Sequence, residues 1–261
     1  MDKDYTVFID KFYEIKNMGY IPSINNGSSG VGRTFEKALG IKGNCDVFPD
    51  FNGIEIKTKA SKFHSELSLF NCTPVGNVQY EIERLKEKYG YPDRTYKKYK
   101  VLSASVNSLE ERKVGIFYKF KLKVDKYHNK IVLLVFNLKN EIVDDTTFWP
   151  IDLIESRFMG KCSLLAFINA EKSYNGGIRA YWYNSLRVMQ PKPFDTFIKL
   201  LEKGFITIEF KIGISKASDT LGKIYDHGTA FKIDEKNLEM LFDVLYDSSK
   251  QNKSVLNDQG T

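Results

Sequence analysis

Pro49-Asp50-Phe51-Asn52-Gly53-Ile54-Glu55-Ile56-Lys57 is the stretch of sequence that best indicates the fold. Apolar and polar residues alternate after Gly53, and this period of two predicts a strand with Glu55 and Lys57 on one face, and with Ile54 and Ile56 facing the core. Asn-Gly is typical of a tight turn, so the chain is expected to turn back there and bring Asp50 beside Glu55. Two carboxylates so placed offer the hard oxygen ligands that magnesium prefers, with positions left for water and a phosphate.

Acidic-x-basic triplets are common in a chain with 28% charged residues. Glu14-Ile15-Lys16 lies in a segment with apolar residues at helical spacing, which indicates a solvated helix face. Glu209-Phe210-Lys211 lies in an alternating segment typical of a strand, but it has no Asp in a nearby turn. The triplet at 55 to 57 alone therefore leaves two interpretations open, a metal site or a polar strand face. Two further triplets are Glu111-Arg112-Lys113 and Asp234-Glu235-Lys236.

The composition indicates a globular protein with an affinity for polyanions. Of its 261 residues 42% are hydrophobic, and the net charge is +6, which favours nucleic acid although surplus surface lysine would give the same value. Cys45, Cys72 and Cys162 form no Cys-x-x-Cys pair, which argues against a disulfide framework or a zinc ribbon. The sequence has no signal-peptide pattern and no apolar run of membrane-spanning length, so we expect a cytoplasmic protein that does not associate with a membrane.

The periodicity along the chain predicts a mixed α+β fold, with a central mixed sheet flanked by helices. The polar residues 247–261 are expected to form a flexible tail. Helices are predicted at 5–18, 34–39, 79–89, 150–158, 194–203 and 235–246, and strands at 46–58, 67–72, 114–124, 131–138, 163–171, 180–183 and 205–214.

Three other motifs suggest competing functions. Gly27 to Thr34 has the Walker A spacing, but Arg33 replaces the lysine and the preceding segment is broken by Pro22, so we expect a loop that contacts a DNA phosphate instead of an NTPase site. His128-Asn129 suggests a His-Asn nuclease only faintly and is better explained as a polar turn. His227 lies in a polar, glycine-containing segment that could present donors to base edges.

Four blocks in order resemble the MvaI/BcnI family of restriction endonucleases, which is related to the mismatch-repair nicking enzyme MutH. They are Gly27-x-x-Gly30-x-Gly32-x-Thr34-Phe35-Glu36, Pro49-Asp50-Phe51, Gly53-Ile54-Glu55-Ile56-Lys57-Thr58 and Asp226-His227-Gly228-Thr229-Ala230-Phe231-Lys232-Ile233. The resemblance implies a PD-(D/E)XK nuclease core over residues 1–246, with two lobes around a DNA-binding cleft. We expect a catalytic lobe at about 1–140 and a DNA-recognition lobe mainly at about 141–246.

The same resemblance implies the residues of the active site. Asp50 and Glu55 would bind one or two Mg²⁺ ions, with the Ile56 carbonyl as a further ligand. Lys57 would orient or help to deprotonate the attacking water. Glu36, which the pattern alone marks only as a polar helix residue, would position Lys57 or a water at the metal.

DNA-reading roles are also implied, for Arg33, Tyr225, His227 and Lys232. Tyr225 stands where some relatives have histidine, and Lys232 where the family is expected to prefer arginine. The expected function is a type II restriction endonuclease that cuts duplex DNA at a short pseudopalindromic site, as a monomer and by sequential nicking, with a cognate DNA methyltransferase encoded nearby. The alternatives are a MutH-like nicking enzyme that needs a partner, and a DNA-binding module whose nuclease site is unused.

Overall fold

Two discontinuous units make up the fold. The computed structural model describes residues 5–27, 29–41, 48–60, 65–76, 80–226 and 228–250. Unit 1 draws on residues 1–65, 159–192 and 238–261, and unit 2 on 66–158 and 193–237. The contiguous lobes predicted at about 1–140 and 141–246 therefore divide the chain differently from these units, because strands from three separate parts of the chain pair in the sheet of unit 1.

The helices and the strands of the described residues are each numbered in chain order. The helices are α1 (Thr6–Asn17), α2 (Gly30–Leu39), α3 (Glu81–Tyr89), α4 (Ile151–Lys161), α5 (Phe194–Glu202) and α6 (Leu238–Leu241). The strands are β1 (Ile21–Pro22), β2 (Glu55–Lys59), β3 (Glu66–Asn71), β4 (Tyr91–Pro92), β5 (Lys100–Val106), β6 (Arg112–Val114), β7 (Tyr118–Asp125), β8 (Lys130–Phe136), β9 (Ile142–Pro150), β10 (Leu165–Asn175), β11 (Ile178–Pro191), β12 (Ile206–Ile214), β13 (Ile224–Asp226), β14 (Ala230–Asp234) and β15 (Phe242–Asp247).

The sheet of unit 1 has the order β1, β11, β10, β2, and β15 pairs with the far part of β11. β2 and β10 run parallel, with Glu55 opposite Leu165, whereas the other pairs are antiparallel. Apolar residues of α1 and α2 pack against one face of this sheet, including Phe8, Phe12 and Phe35. Burying these large side chains contributes much of the stability of unit 1, since removal of apolar area from water is the main favourable term in folding. β2 lies at the edge of this described sheet.

Unit 2 contains a sheet of order β3, β14, β12, β5, β4, with β13 also paired to β12, and a sheet of order β6, β7, β8, β9. β12 alternates between buried and more exposed residues, so one of its faces is apolar and the other polar. Phe210 on the apolar face lies 6.2 Å from the Phe120 ring and 6.1 Å from the Trp149 ring, between ring centroids. These aromatic contacts join the two sheets of unit 2. The polar face of β12 is not part of them.

Several predicted elements are corrected by the structure. The helix predicted at 235–246 is a 3-10 turn, the short helix α6 and the strand β15, in which Phe242, Val244 and Tyr246 alternate and pair with β11. The strand predicted at 114–124 is interrupted after Val114 and resumes at Tyr118. β9 was not predicted.

At residues 247–250 the structure corrects the predicted flexible tail. Asp247 ends β15, and the buried Ser248 hydroxyl accepts a hydrogen bond of 2.9 Å from the Leu186 amide. Residues 251–261 of the predicted tail lie outside the described residues. In the parts of the chain that the structure describes, no helix has the length and apolarity needed to cross a membrane.

Candidate active site

The turn at Asn52-Gly53 forms as predicted. Phe51 and Ile54 exchange backbone hydrogen bonds of 3.0 and 2.7 Å, and Asn52 and Gly53 have φ values of 45° and 83°. Two successive positive φ values define a type I′ turn, which favours Asn followed by Gly. The reversal brings Asp50 back to β2, where its Oδ2 accepts a hydrogen bond of 2.9 Å from the Ile56 amide.

The alternation on β2 is also confirmed. Ile54 and Ile56 belong to the core of unit 1, whereas Glu55 and Lys57 share the opposite face. Lys57 Nζ donates a 2.6 Å hydrogen bond to Glu55 Oε1. Glu55 is only 2% exposed even though it is charged, so its carboxylate is held in a fixed place beside the lysine.

Glu36 approaches this strand from helix α2. Gly32 lies one helical turn before Glu36, on the same side of the helix. A Cβ atom at Gly32 would lie 3.3 Å from Thr58 Oγ1 and 3.7 Å from Glu36 Oε1, so the bare glycine lets α2 pack closely on β2. The sequence pattern alone marks Glu36 only as a polar helix residue, whereas the family resemblance assigns it to the active site.

Helix α2 begins earlier than predicted. It starts at Gly30 instead of Thr34, and it ends at Leu39 as predicted, with Gly40 in the left-handed conformation as its C-cap. Arg33 is therefore an exposed helical residue and not part of a loop. A P-loop wraps phosphates before its helix begins, so this geometry agrees with the rejection of an NTPase site and also corrects the predicted phosphate-binding loop.

The Asp50 carboxylate acts on the pKa of both Glu36 and Glu55. Burial raises the pKa of Glu36, and the Asp50 carboxylate raises it further, while Arg33 opposes the change. Burial also raises the pKa of Glu55, against the effect of Lys57 and Lys161. We call the group of Glu36, Asp50, Glu55 and Lys57 the β2 site. Its concentrated negative charge is the arrangement that a bound cation would relieve.

The backbone at Ile56 adds an oxygen at the same place. The amide and the carbonyl of a residue in a strand point to the same side, and the Ile56 amide points to Asp50, at the sheet edge away from β10. The Ile56 carbonyl therefore points to that edge too. Two carboxylates and one carbonyl are hard oxygen donors that suit Mg²⁺. Among the described residues, no cluster of three or more His, Cys, Asp or Glu side chains could hold a metal, so a metal here would depend on this carbonyl or on water.

Two residues at this place were missed by the sequence analysis. Lys161, the last residue of α4, lies with its Nζ 3.0 Å from Glu55 Oε2. Cys162 is fully buried next to it, and burial raises the pKa of its thiol to about 12, so it stays protonated and is a poor nucleophile. No local pattern marks either residue, because both reach β2 only through the pairing of β2 with β10.

The predicted DNA-reading residues lie in different environments. Tyr225 is 53% exposed on β13. Lys232 lies in unit 2 on β14, where its Nζ is 2.7 Å from Glu209 and 3.6 Å from Glu66. His227 lies outside the described residues. His128 is in an exposed turn after β7 and bonds Asp125 at 2.7 Å, as the interpretation of a polar turn predicts.

The chain is similar to known proteins along nearly its whole length. The MvaI/BcnI restriction endonuclease family matches residues 9–242. The chain is similar to a structure described as the restriction endonuclease MvaI–cognate DNA substrate complex, with 26% identity and a TM-score of 0.85, over 94% of this chain and 98% of that one. It is also similar to MvaI in the absence of DNA, with 26% identity and a TM-score of 0.60, over 94% and 97% of the two chains. No curated protein sequence matches.

The protein is an endonuclease with a PD-(D/E)XK-like mixed α+β fold, as predicted. The matches cover nearly the whole chain, so they also define the family. The chain belongs to the MvaI/BcnI restriction endonuclease family, and it is accordingly a hydrolase that acts on DNA.

Proposed function

We propose that the protein is a sequence-specific type II restriction endonuclease that cuts duplex DNA with Mg²⁺ at the β2 site. The observation that carries the proposal is the convergence of Asp50, Glu55 and Lys57 on one strand-turn-strand, with Glu36 presented by α2. A polar strand face would need none of the additional carboxylates, and each of them raises the electrostatic cost of the others.

Each residue of the β2 site has a distinct proposed role. Asp50 and Glu55, with the Ile56 carbonyl, would hold one or two Mg²⁺ ions. Mg²⁺, when bound, supplies Lewis acidity that activates water and offsets charge on the phosphate. Lys57 would orient or help to deprotonate the attacking water, and its fixed positive charge would stabilise the developing anion. Glu36 orients Lys57 or the water.

Recognition would depend on residues outside the β2 site. We assign this role to Arg33, Tyr225, His227 and Lys232, in keeping with the family resemblance. The Lys232 ammonium is paired with Glu209, so it would exchange a carboxylate for a guanine edge when it reads DNA. The net charge of +6 supports binding to the phosphate backbone.

A digestion of supercoiled plasmid with Mg²⁺ tests the proposal. We expect the wild type to give discrete fragments with a common end sequence, and Asp50→Ala to give no cleavage while it still retards the DNA in a gel. No cleavage by the wild type over a range of salt and divalent metals would refute the proposal. Transient nicked circles, at a rate proportional to protein concentration, would support a monomer that nicks the strands in turn.

The same digestion separates restriction from repair. Discrete double-strand cuts by the isolated protein agree with restriction, whereas nicked circles that never become linear agree with a partner-dependent nicking enzyme. Protection of the sites by methylation from a neighbouring methyltransferase gene would support the proposed pairing of the two enzymes in one restriction system.

A further inference from the structure

Lys161 occupies a specific place beside the proposed metal ligands. Its Nζ lies 3.0 Å from Glu55 Oε2 and donates a hydrogen bond of 3.1 Å to the carbonyl of Phe48, two residues before Asp50. Ser163, two residues later, donates to the Gly53 carbonyl at 3.3 Å, and the Glu55 amide donates to the Leu164 carbonyl at 2.9 Å. The segment after α4 thus contacts both sides of the turn that carries the β2 site.

The two oxygens of Glu55 are divided between two lysines. Oε1 accepts the hydrogen bond from Lys57, whereas Oε2 is buried and has no partner that satisfies hydrogen-bond geometry in the described part of the chain. The contact of Oε2 with Lys161 is therefore mainly electrostatic. A buried carboxylate oxygen without a hydrogen bond is costly, and such an oxygen is available to a cation that can approach it directly.

We infer that Lys161 is a placeholder for the divalent ion: its ammonium neutralises Glu55 Oε2 in the metal-free protein and gives up that oxygen when the metal binds. The inference rests on the proposed function of the β2 site. The side chain of Lys161 is 18% exposed, compared with 3% for Glu55, so the ammonium has solvent to move into while the carboxylate does not. Lys161 is in this sense a positioning residue, since its contacts with Glu55 Oε2 and with the Phe48 carbonyl hold the carboxylate in place before the metal arrives.

Thermal unfolding of Lys161→Met, without DNA, tests the inference. In EDTA we expect its Tm to fall by roughly 5 °C, because Glu55 loses one of its two cations. Saturating Mg²⁺ should restore most of this loss, because the metal takes over the neutralisation of Oε2, and should raise the Tm of the wild type by less. A wild-type Tm in EDTA, or a deficit that Mg²⁺ leaves unchanged, would overturn the inference.

A matched control separates this role from ordinary packing. Lys232→Met removes a lysine of similar exposure, 14%, that is paired with Glu209 in unit 2, and its Tm deficit should be the same with and without Mg²⁺. The double variant Glu55→Gln/Lys161→Met should lose the enlarged Mg²⁺ response, since it has no charged carboxylate to neutralise. An Mg²⁺ response in this double variant as large as in Lys161→Met would contradict the assigned partner.

Lys161→Arg keeps the test decisive if the Met variant does not fold. Arginine retains the charge, so we expect a Tm in EDTA near that of the wild type and an Mg²⁺ response no larger than the wild type shows. A greatly enlarged response would overturn the inference. The two hypotheses fail in different experiments. If the protein never cuts plasmid but shows these Tm shifts, the proposed function is wrong and the role of Lys161 stands. If it cuts plasmid without these Tm shifts, the proposed function stands and the role of Lys161 is wrong.

Discussion

Glu55-Ile56-Lys57 on β2 and Glu209-Phe210-Lys211 on β12 look alike at close range. In both, the glutamate pairs with the lysine two positions later, at 2.6 Å in the first and 2.8 Å in the second. Each glutamate also faces a second lysine from a distant part of the chain, Lys161 in the first case and Lys232 in the second. The triplet and its ion pairs therefore do not distinguish the two regions.

The two glutamates differ in the net electrostatic effect of their surroundings. Burial raises the pKa of Glu55, and the nearby Asp50 carboxylate contributes, so that its lysines do not reverse the shift. Burial acts in the same direction on Glu209, but Lys211 and Lys232 outweigh it and the pKa falls. We call the group of Glu66, Glu209, Lys211 and Lys232 the β12 cluster. The β12 cluster is neutralised by its own cations, whereas the β2 site keeps an excess of negative charge, which is the property that a metal site needs.

The largest difference is expected in cleavage. Lys57→Ala should lower the rate of plasmid cleavage about 10³-fold or more, because a fixed charge at the reacting phosphate is lost. Lys211→Ala should keep the rate within about threefold at saturating DNA, since an exposed ion pair contributes little. Rates measured on one plasmid under identical conditions check this. Equal losses in the two variants would mean that β2 is not the catalytic strand.

The turn before β2 should give an intermediate effect. Gly53→Ala places a Cβ atom at a φ of 83°, which costs on the order of 1 kcal/mol of stability. It should also displace Asp50 and lower the cleavage rate about tenfold, while DNA binding changes little. Urea unfolding and plasmid cleavage measure the two effects separately. Gly160→Ala is the control, because its added Cβ atom would meet open space in helix α4, and unaltered cleavage is expected.

The smallest effect is a difference in the sign of a stability change. Since the pKa of Glu36 is raised in the folded protein, its ionisation opposes folding, and Glu36→Gln should increase the Tm in EDTA near pH 8 by about 1–2 °C. The lowered pKa of Glu209 means the reverse, so Glu209→Gln should decrease the Tm by a similar amount.

Both differences should shrink on acidification. The gain in Glu36→Gln disappears below the ordinary pKa of a glutamate, where Glu36 is protonated in both the folded and unfolded states. The loss in Glu209→Gln disappears as the pH falls through the lowered pKa of Glu209. Thermal melts from pH 8 down to the acid limit of folding check both trends. Changes of equal sign at pH 8 would show that the electrostatic contrast between the regions is absent.

Local patterns were enough to predict the framework of the β2 site. The alternation at 54–57 and the Asn52-Gly53 turn depend only on neighbouring residues, and both are found as predicted. The same reasoning was wrong at residues 242–246, where a helix was predicted and the structure has a strand. The apolar pattern there is short and ambiguous, and pairing with β11 overrides it.

Residues that reach the β2 site across the fold were less predictable. Glu36 could be assigned only through the family resemblance, since its helix presents it to β2 by a close approach at Gly32. Lys161 was missed altogether. Its position depends on the parallel register of β2 and β10. The sequences of the two strands do not predict that they pair with each other.

That parallel pairing also sets the order in which the enzyme becomes competent during synthesis. Gly53 and Ser163, which contact each other beside the β2 site, are 110 positions apart in the chain. The ribosome therefore releases Glu36, Asp50, Glu55 and Lys57 long before it makes the strand that β2 lies against. A half-made chain carries every residue of the β2 site but lacks β10, the strand that β2 pairs with, so we expect the β2 site to assemble only after translation has passed β10.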